Sequence, residues 1–152
     1  MIWWHEAQFA LWNRSNLLDR TLGWYEKVEP IARQIAQRQG FDGVRWMKMT
    51  DPSGTEAPSK VGSFLIWQQP HLIYLAELLY RADPTKEVLE KYNRLVQETA
   101  EFMYSFATYD ELEGRYVLKG AIPAQETLRA AETINPPFEL SYWHFAMQTA
   151  QQ

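Results

Sequence analysis

The chain has 152 residues, of which 46% are hydrophobic, and its formal net charge is −4, so its length favours a single domain with one core. The acidic balance disfavours a nucleic-acid partner, which requires a basic stripe, and the lack of cysteine excludes disulfides and thiolate metal sites. Because no apolar run approaches the roughly 18 residues of a membrane span, we predict no membrane association and a soluble protein of the cytoplasm or periplasm, with a signal peptide upstream of Met1 left open.

Apolar residues recur at intervals of three and four along most of the chain, which predicts an all-α domain. The first predicted helix covers residues 4–12. The second covers residues 15–39 and ends at Gly40. Pro30 interrupts its pattern and is expected to kink the helix or to split it near Glu29, because proline removes a backbone donor.

The second half of the chain predicts an antiparallel helical hairpin. Its helices cover residues 67–81 and 85–108, joined at Asp83-Pro84. Residues 115–118 can form a short strand, and a last helix starts near Pro137 and continues to the chain end. The prediction is therefore antiparallel helical hairpins with long loops and at most a short β-ribbon.

A long irregular segment, residues 41–64, lies between the second and third predicted helices. Loops of this length are usually functional or disordered, and this one is too apolar for disorder. We predict an ordered loop over the face of the scaffold that forms one wall of a site. In it Trp46 lies between Arg45 and Lys48, an arrangement that suits an oxygen-rich ligand; an ordinary charged surface loop is the alternative.

Aromatic residues beside polar groups are the most informative feature of the composition. A tryptophan offers an apolar face and one donor, which suits a core edge or stacking on a sugar ring. Four such clusters favour a lined pocket: Trp3-Trp4-His5-Glu6, Arg45-Trp46, Trp67-Gln68-Gln69-Pro70-His71 and Tyr142-Trp143-His144. The three histidines, His5, His71 and His144, lack the short spacing of zinc ligands, so we predict no metal and assign them to pocket lining or to the core.

Three carboxylates lie near proline turns: Glu126, Glu132 and Glu139. A glycosidase requires one carboxylic acid that protonates the leaving oxygen and a second carboxylate that acts as base or nucleophile. Glu126, just after Pro123, is the candidate acid, and a solvated loop glutamate is the alternative. The second carboxylate cannot be selected from this chain.

The order of four motifs resembles a known family. The motifs are Trp4-His5-Glu6-Ala7-Gln8-Phe9, then Gly40-Phe41-Asp42-Gly43-Val44-Arg45-Trp46 with Gly54-Thr55-Glu56, then Gln69-Pro70-His71-Leu72-Ile73-Tyr74, then Pro123-Ala124-Gln125-Glu126 followed by Asn135-Pro136. Their order is similar to that in the (α/α)6-barrel domain of six-hairpin glycosidases, in particular the group of maltose and trehalose phosphorylases and inverting α-L-fucosidases.

This resemblance implies that residues 1–152 are one domain, a segment of a larger (α/α)6 toroid. It implies Glu126 as the proton donor, no cofactor, and a catalytic base, or a phosphate in its place, beyond Gln152. The implied sugar subsite is lined by Trp4, His5, Arg45, Trp46, Lys48, Gln69 and His71. His5 and Ala7 replace the aspartate and glutamate usual in the family, which puts phosphorylase specificity in doubt.

The function expected from this resemblance is inverting cleavage of a glycosidic bond in a carbohydrate substrate, by water or by phosphate. Two alternatives stay open. One is a non-catalytic helical domain that binds a glycan or a protein, and the other is a helical oligomerisation module whose tryptophans fill the core. If the chain is complete, exposed helix faces are expected to associate into a homo-oligomer.

Overall fold

The computed structural model describes residues 2–124 and 126–152. The described residues are mostly helical, as predicted, and the sheet is a single two-stranded ribbon. The elements are α1 (Ile2–Leu11), α2 (Ser15–Arg38), α3 (His71–Ala82), α4 (Lys86–Phe106), β1 (Thr108–Asp110), β2 (Arg115–Val117) and α5 (Pro137–Ala150). Two 3-10 turns, Gly62–Phe64 and Ala130–Glu132, lie in the connecting segments.

The helix α3 is the centre of the fold, because it packs against each of the other four helices. Half of its side chains are buried, and the apolar ones lie on more than one face. Helices α1 and α2 contact it and each other, while α5 packs on α3 and α4. The predicted hairpin is confirmed as α3 and α4, and the side chain of Thr85 caps α4 by accepting a hydrogen bond from the Val88 N–H, 3.4 Å away.

The predicted split of the second helix is wrong, since α2 continues through Pro30 to Arg38. Pro30 is exposed, and so is Glu26, whose carbonyl loses its helical donor. Water can therefore replace the missing bond, while apolar residues before and after the proline stay buried against the core. Gly40 ends the helix region with φ +82°, and the Phe41 N–H donates to the Ala36 carbonyl 3.0 Å away.

Two other boundaries differ from the prediction. The third helix begins at His71 rather than at residue 67, because residues 67–70 form turns and Pro70 immediately precedes the helix. The fourth ends at Phe106 because Thr108 already pairs with Val117 in the antiparallel ribbon. The short strand predicted near residues 115–118 is confirmed as β2, whereas its partner β1 was not predicted, and the predicted helix 85–108 overlaps β1 only at Thr108.

Residues 43–47 form a segment that we call the buried strap. All five of its residues are buried, so this part of the predicted loop does not cross the face of the scaffold. The Val44 N–H donates to the Glu98 carbonyl of α4 at 3.1 Å, and the Arg45 N–H donates to the Ala32 carbonyl of α2 at 3.0 Å. Helical carbonyls have a second lone pair for such bonds, and the strap therefore runs between α2 and α4.

The apolar residues form two clusters, one where α1, α2, α3 and the strap meet and one where the end of α2 meets α4 and α5. No helix in residues 2–124 and 126–152 is long and apolar enough to cross a membrane.

Candidate functional site

A cleft of about 760 Å³ lies beside the strap. One wall is the face of α2 that carries Trp24, Tyr25 and Val28, and the other is the segment from Arg45 to Pro52. The inner end reaches the start of α3. A volume of this size is typical of small-molecule sites.

The aromatic side chains of the cleft are held by one another and by hydrogen bonds. The Tyr25 and Trp46 rings meet edge to face, with centroids 4.9 Å apart, and Trp24 meets Tyr25 at 5.1 Å. The Trp46 indole donates to Thr99 Oγ1 at 2.9 Å, and the Trp24 indole donates to the Pro52 carbonyl at 3.1 Å. The aromatic lining of the cleft is therefore fixed in place; Trp24 is half-buried, whereas Tyr25 and Trp46 are buried.

Arg45 is almost completely buried at the edge of the cleft. Its guanidinium donates to the carbonyls of Leu65 and Trp46 and to Gln69 Oε1, and it lies 5.2 Å from the centre of the Phe102 ring. Burial lowers the pKa of Arg45 to about 10, so the group stays charged at neutral pH. Its charge is held by carbonyl oxygens within the protein, which fixes the strap against residues 65–69.

Gln69 lies beneath the cleft, where both atoms of its amide bind the strap. Its Oε1 accepts from the Trp46 N–H at 2.9 Å, and its Nε2 donates to the Val44 carbonyl at 2.7 Å. The side chain is fully buried and does not line the cleft. Of the predicted sugar-subsite residues, Arg45, Trp46, Lys48 and His71 are brought together in the cleft.

Trp4 and His5 lie apart from these four residues. Both are exposed on α1, and neither lines the cleft. The orientation of α1 is set by its other face, where Trp3 stacks on Tyr74 with centroids 5.5 Å apart and Ala7 is buried. Ile2 is the residue of α1 that reaches the cleft.

Glu126 lies next to the cleft, through an ion pair with Lys48 of the cleft wall. Its N–H donates to the Pro123 carbonyl at 2.8 Å, and the Ile122 N–H donates to the Phe64 carbonyl at 2.8 Å, which anchors the loop. Glu126 has φ +59°, a left-handed conformation that is uncommon for a residue with a side chain and is found more often at functional sites. Gln125, the third residue of the predicted acid motif, lies outside the described residues.

The two other candidate carboxylates differ in their surroundings. Glu132 is exposed in a 3-10 turn, and its Oε1 lies 3.7 Å from Arg129 Nη1. Glu139 is fully buried in the first turn of α5. Burial raises the pKa of Glu139, although the backbone N–H groups of Glu139 and Ala124 favour the carboxylate. Glu139 is not among the residues that line the cleft.

His71 is the only histidine that lines the cleft in the part of the chain that the structure describes. Its Nδ1 is 3.0 Å from the Tyr142 hydroxyl, and its ring meets the Trp67 ring at 5.5 Å. Burial lowers the pKa of His71 to about 4. The imidazole is therefore neutral at pH 7 and can offer one donor and one acceptor.

We expect the His71 pKa to make the protein less stable in mild acid. Because the folded pKa lies below the unfolded value of about 6.5, the stabilisation is fully present above pH 6.5 and is lost as the pH falls to about 4. The loss attributable to this group is about 3 kcal/mol. Urea unfolding at several pH values should show a shallower decline for His71→Gln than for the wild type, with His144→Gln as the matched control. A decline of equal slope in His71→Gln would contradict this assignment.

No protein-family model matches the chain. No curated protein matches it either. Within residues 2–124 and 126–152, no group of three or more histidine, aspartate or glutamate side chains could hold a metal ion.

Several cleft residues, among them Trp24, Tyr25 and Gln68, were not predicted as site residues. Trp24 and Tyr25 lie in α2, and Tyr25 is one of its buried residues. Gln68 was noted only as part of an aromatic-polar cluster; its Nε2 donates to the carbonyls of Trp46 at 3.0 Å and Leu65 at 2.9 Å. The signal in the sequence that could have indicated Trp24 and Tyr25 as site residues is that two aromatic residues are adjacent at the edge of the apolar stripe of the helix.

Proposed function

We propose that this chain is part of a carbohydrate-active enzyme, glycoside hydrolase-like, that cleaves a glycosidic bond with inversion. The observation that carries the proposal is that Lys48, which lines the aromatic cleft, forms an ion pair with Glu126 of the neighbouring loop. A candidate proton donor thus lies beside a cavity of suitable size for a sugar.

The lining of the cleft supports a carbohydrate ligand. Trp46, Trp24 and Tyr25 supply aromatic surfaces, and the ammonium group of Lys48 supplies donors for sugar oxygens. Sugar rings combine apolar faces with a rim of hydroxyl groups. A cleft with fixed aromatic surfaces and a few polar groups matches that combination.

In this proposal Glu126 protonates the glycosidic oxygen as the bond breaks. Lys48 is paired with Glu126, so in this proposal it turns from Glu126 to the sugar oxygens and leaves the Glu126 carboxyl group free to reach the glycosidic oxygen. The second group stands roughly 6.5–9.5 Å from the acid in an inverting enzyme. It is either a carboxylate from a segment outside this chain or a phosphate that attacks in place of water.

We further propose that the helices belong to an (α/α)6 toroid. Three large apolar side chains of or next to α1 are mostly exposed: Trp4 at 77%, Leu11 at 84% and Trp12 at 74%. Apolar surface of this kind favours packing against other helices. Those helices belong to the rest of the barrel or to a second copy of the chain.

The test is Glu126→Gln in the full-length parent protein, assayed on aryl glycosides and natural disaccharides. Loss of a general acid is expected to lower turnover of disaccharides by roughly 100-fold or more. The loss should be smaller for aryl glycosides whose leaving groups are acidic, because these need less protonation. That dependence on the leaving group would not arise from a purely structural role.

Glu132→Gln is the matched control, since Glu132 is an exposed glutamate of the same connecting segment. It should retain normal turnover, and circular dichroism should show that both variants fold. Near-normal disaccharide turnover in Glu126→Gln would end the proposal for this residue.

One observation favours a second candidate function, a non-catalytic glycan-binding domain. The Glu126 carboxylate is occupied by Lys48, and an ion pair across a cleft edge can serve binding without chemistry. This candidate predicts sugar binding by calorimetry, with no reducing sugar or sugar phosphate released by the full-length protein. Release of either product would exclude it.

A further inference from the structure

Three side chains from three different helices meet at the inner end of the cleft. They are Trp3 of α1, His71 of α3 and Tyr142 of α5. The Tyr142 hydroxyl lies 3.0 Å from His71 Nδ1, and the Trp3 side chain lies close enough to Tyr142 to lower the pKa of its hydroxyl, although burial raises that pKa overall. The sequence analysis did not connect these residues, which are far apart in the chain.

The direction of the hydrogen bond follows from the groups involved. A phenol hydroxyl carries one proton that it can donate. The phenolic proton then needs an acceptor, because a half-buried hydroxyl that donates to nothing loses a hydrogen bond. His71 Nδ1 is the acceptor within reach. With Nδ1 accepting, the single proton of a neutral imidazole must be on Nε2.

The surroundings fix the tyrosine in this position. Tyr142 and Phe145 are stacked, with centroids 6.3 Å apart and planes 16° apart, and Phe145 contacts Tyr74 at 6.1 Å. Tyr74 in turn stacks on Trp3. A continuous set of rings therefore links α1, α3 and α5 and holds the hydroxyl in line with His71.

We propose that Tyr142 is a positioning residue that holds His71 as the Nε2–H tautomer, so that His71 donates a hydrogen bond to an oxygen of the bound sugar. His71 lines the cleft, and in the part of the chain that the structure describes no hydrogen bond reaches its Nε2. Because burial lowers the His71 pKa, the ring keeps this neutral form at pH 7. The inference rests on the proposed function for the identity of the ligand, but the tautomer can be measured without one.

The first experiment is ¹⁵N NMR of the histidine side chains in the full chain at pH 7, with His71→Gln used to assign the signals. The expected wild-type result is a protonated Nε2 and an unprotonated Nδ1. In Tyr142→Phe the acceptor role of Nδ1 is lost, and the two shifts should move toward each other as the tautomers mix. A wild-type Nδ1–H form, or shifts that Tyr142→Phe leaves unchanged, overturns the proposal.

The second experiment measures binding and turnover with maltose, trehalose and para-nitrophenyl α-L-fucopyranoside as probes in the full-length protein. Tyr142→Phe should weaken binding of the accepted probe by roughly tenfold, as expected for one hydrogen bond, and raise KM more than it lowers kcat. Tyr104→Phe is the matched control, because Tyr104 is an exposed tyrosine whose hydroxyl is 3.2 Å from that of Tyr116. An unchanged affinity despite a changed tautomer overturns the donor role.

The two proposals fail in distinguishable ways. If the wild type has the Nε2–H tautomer but binds none of the three probes, the tautomer assignment stands and the proposed carbohydrate function fails for these sugars. If the wild type cleaves a probe and Tyr142→Phe matches it in tautomer and KM, the function stands and this inference fails. The wild-type spectrum tests the tautomer even if Tyr142→Phe does not fold.

Discussion

Replacing Gly43 with alanine is expected to lower the free energy of unfolding by about 4 kcal/mol. Gly43 has φ +68°, and a Cβ atom there would lie 2.2 Å from the Glu98 carbonyl oxygen and 2.5 Å from the Phe102 nitrogen. Both atoms belong to the backbone of α4, so no side chain can turn away to make room. The substitution must push the strap from α4 and stretch the bond from Val44 to Glu98.

Two other glycines provide matched controls for Gly43→Ala. Gly40 also has a positive φ, +82°, but a Cβ there would meet nothing within 4 Å, so Gly40→Ala isolates the backbone strain of about 1 kcal/mol. Gly23 lies inside α2 with open space around it, and Gly23→Ala should stabilise by about 1 kcal/mol. Urea denaturation of all three variants checks the order; a Gly43→Ala cost no larger than that of Gly40→Ala would contradict the close contact.

Gln69→Leu is expected to lower the free energy of unfolding by about 4 kcal/mol. The leucine leaves two buried backbone groups of the strap, the Trp46 N–H and the Val44 carbonyl, without the amide that binds them. Each unsatisfied buried group costs about 1–3 kcal/mol. If Gln69 instead bound sugar directly, the variant would lose affinity with little change in stability, so measuring both quantities separates the two roles.

Gln68→Leu is the matched control, because it is the neighbouring buried glutamine. The carbonyls that Gln68 binds, those of Trp46 and Leu65, also accept from Arg45. Gln68 Oε1 itself has no partner among the described residues. Its replacement should therefore cost about 1 kcal/mol or less. Equal losses in the two variants would show that the strap does not depend on Gln69 in particular.

The helices α2 and α4 could be predicted from the sequence because each carries a periodic apolar stripe. The course of residues 43–47 could not be predicted in the same way. The glycines at 40, 43 and 54 predict a loop, whereas residues 43–47 are held inside the fold by hydrogen bonds to helical carbonyls, those of Ala32 and Glu98. A helical carbonyl can accept a second hydrogen bond from outside its helix without any change in the pattern of apolar residues. The sequence therefore does not indicate such bonds.

The candidate site was predictable where aromatic and polar residues adjoin in the chain. Arg45, Trp46, Lys48 and His71 were found in this way, and they line one cleft. The same rule selected Trp4, which is exposed, because the rotation of α1 depends on how Trp3 packs against the rest of the fold. Adjacency in sequence does not tell which side of a helix faces a cavity.

The strap also couples formation of the cleft to folding of the core. Trp46 is at once a wall of the cleft and a core residue, bound to Thr99 of α4 and packed on Tyr25 of α2. Its surroundings are complete only when helices distant in the chain have closed around it. We therefore expect the cleft and the core to form in one cooperative step, and a ligand that bound in the cleft would stabilise the whole domain rather than one loop.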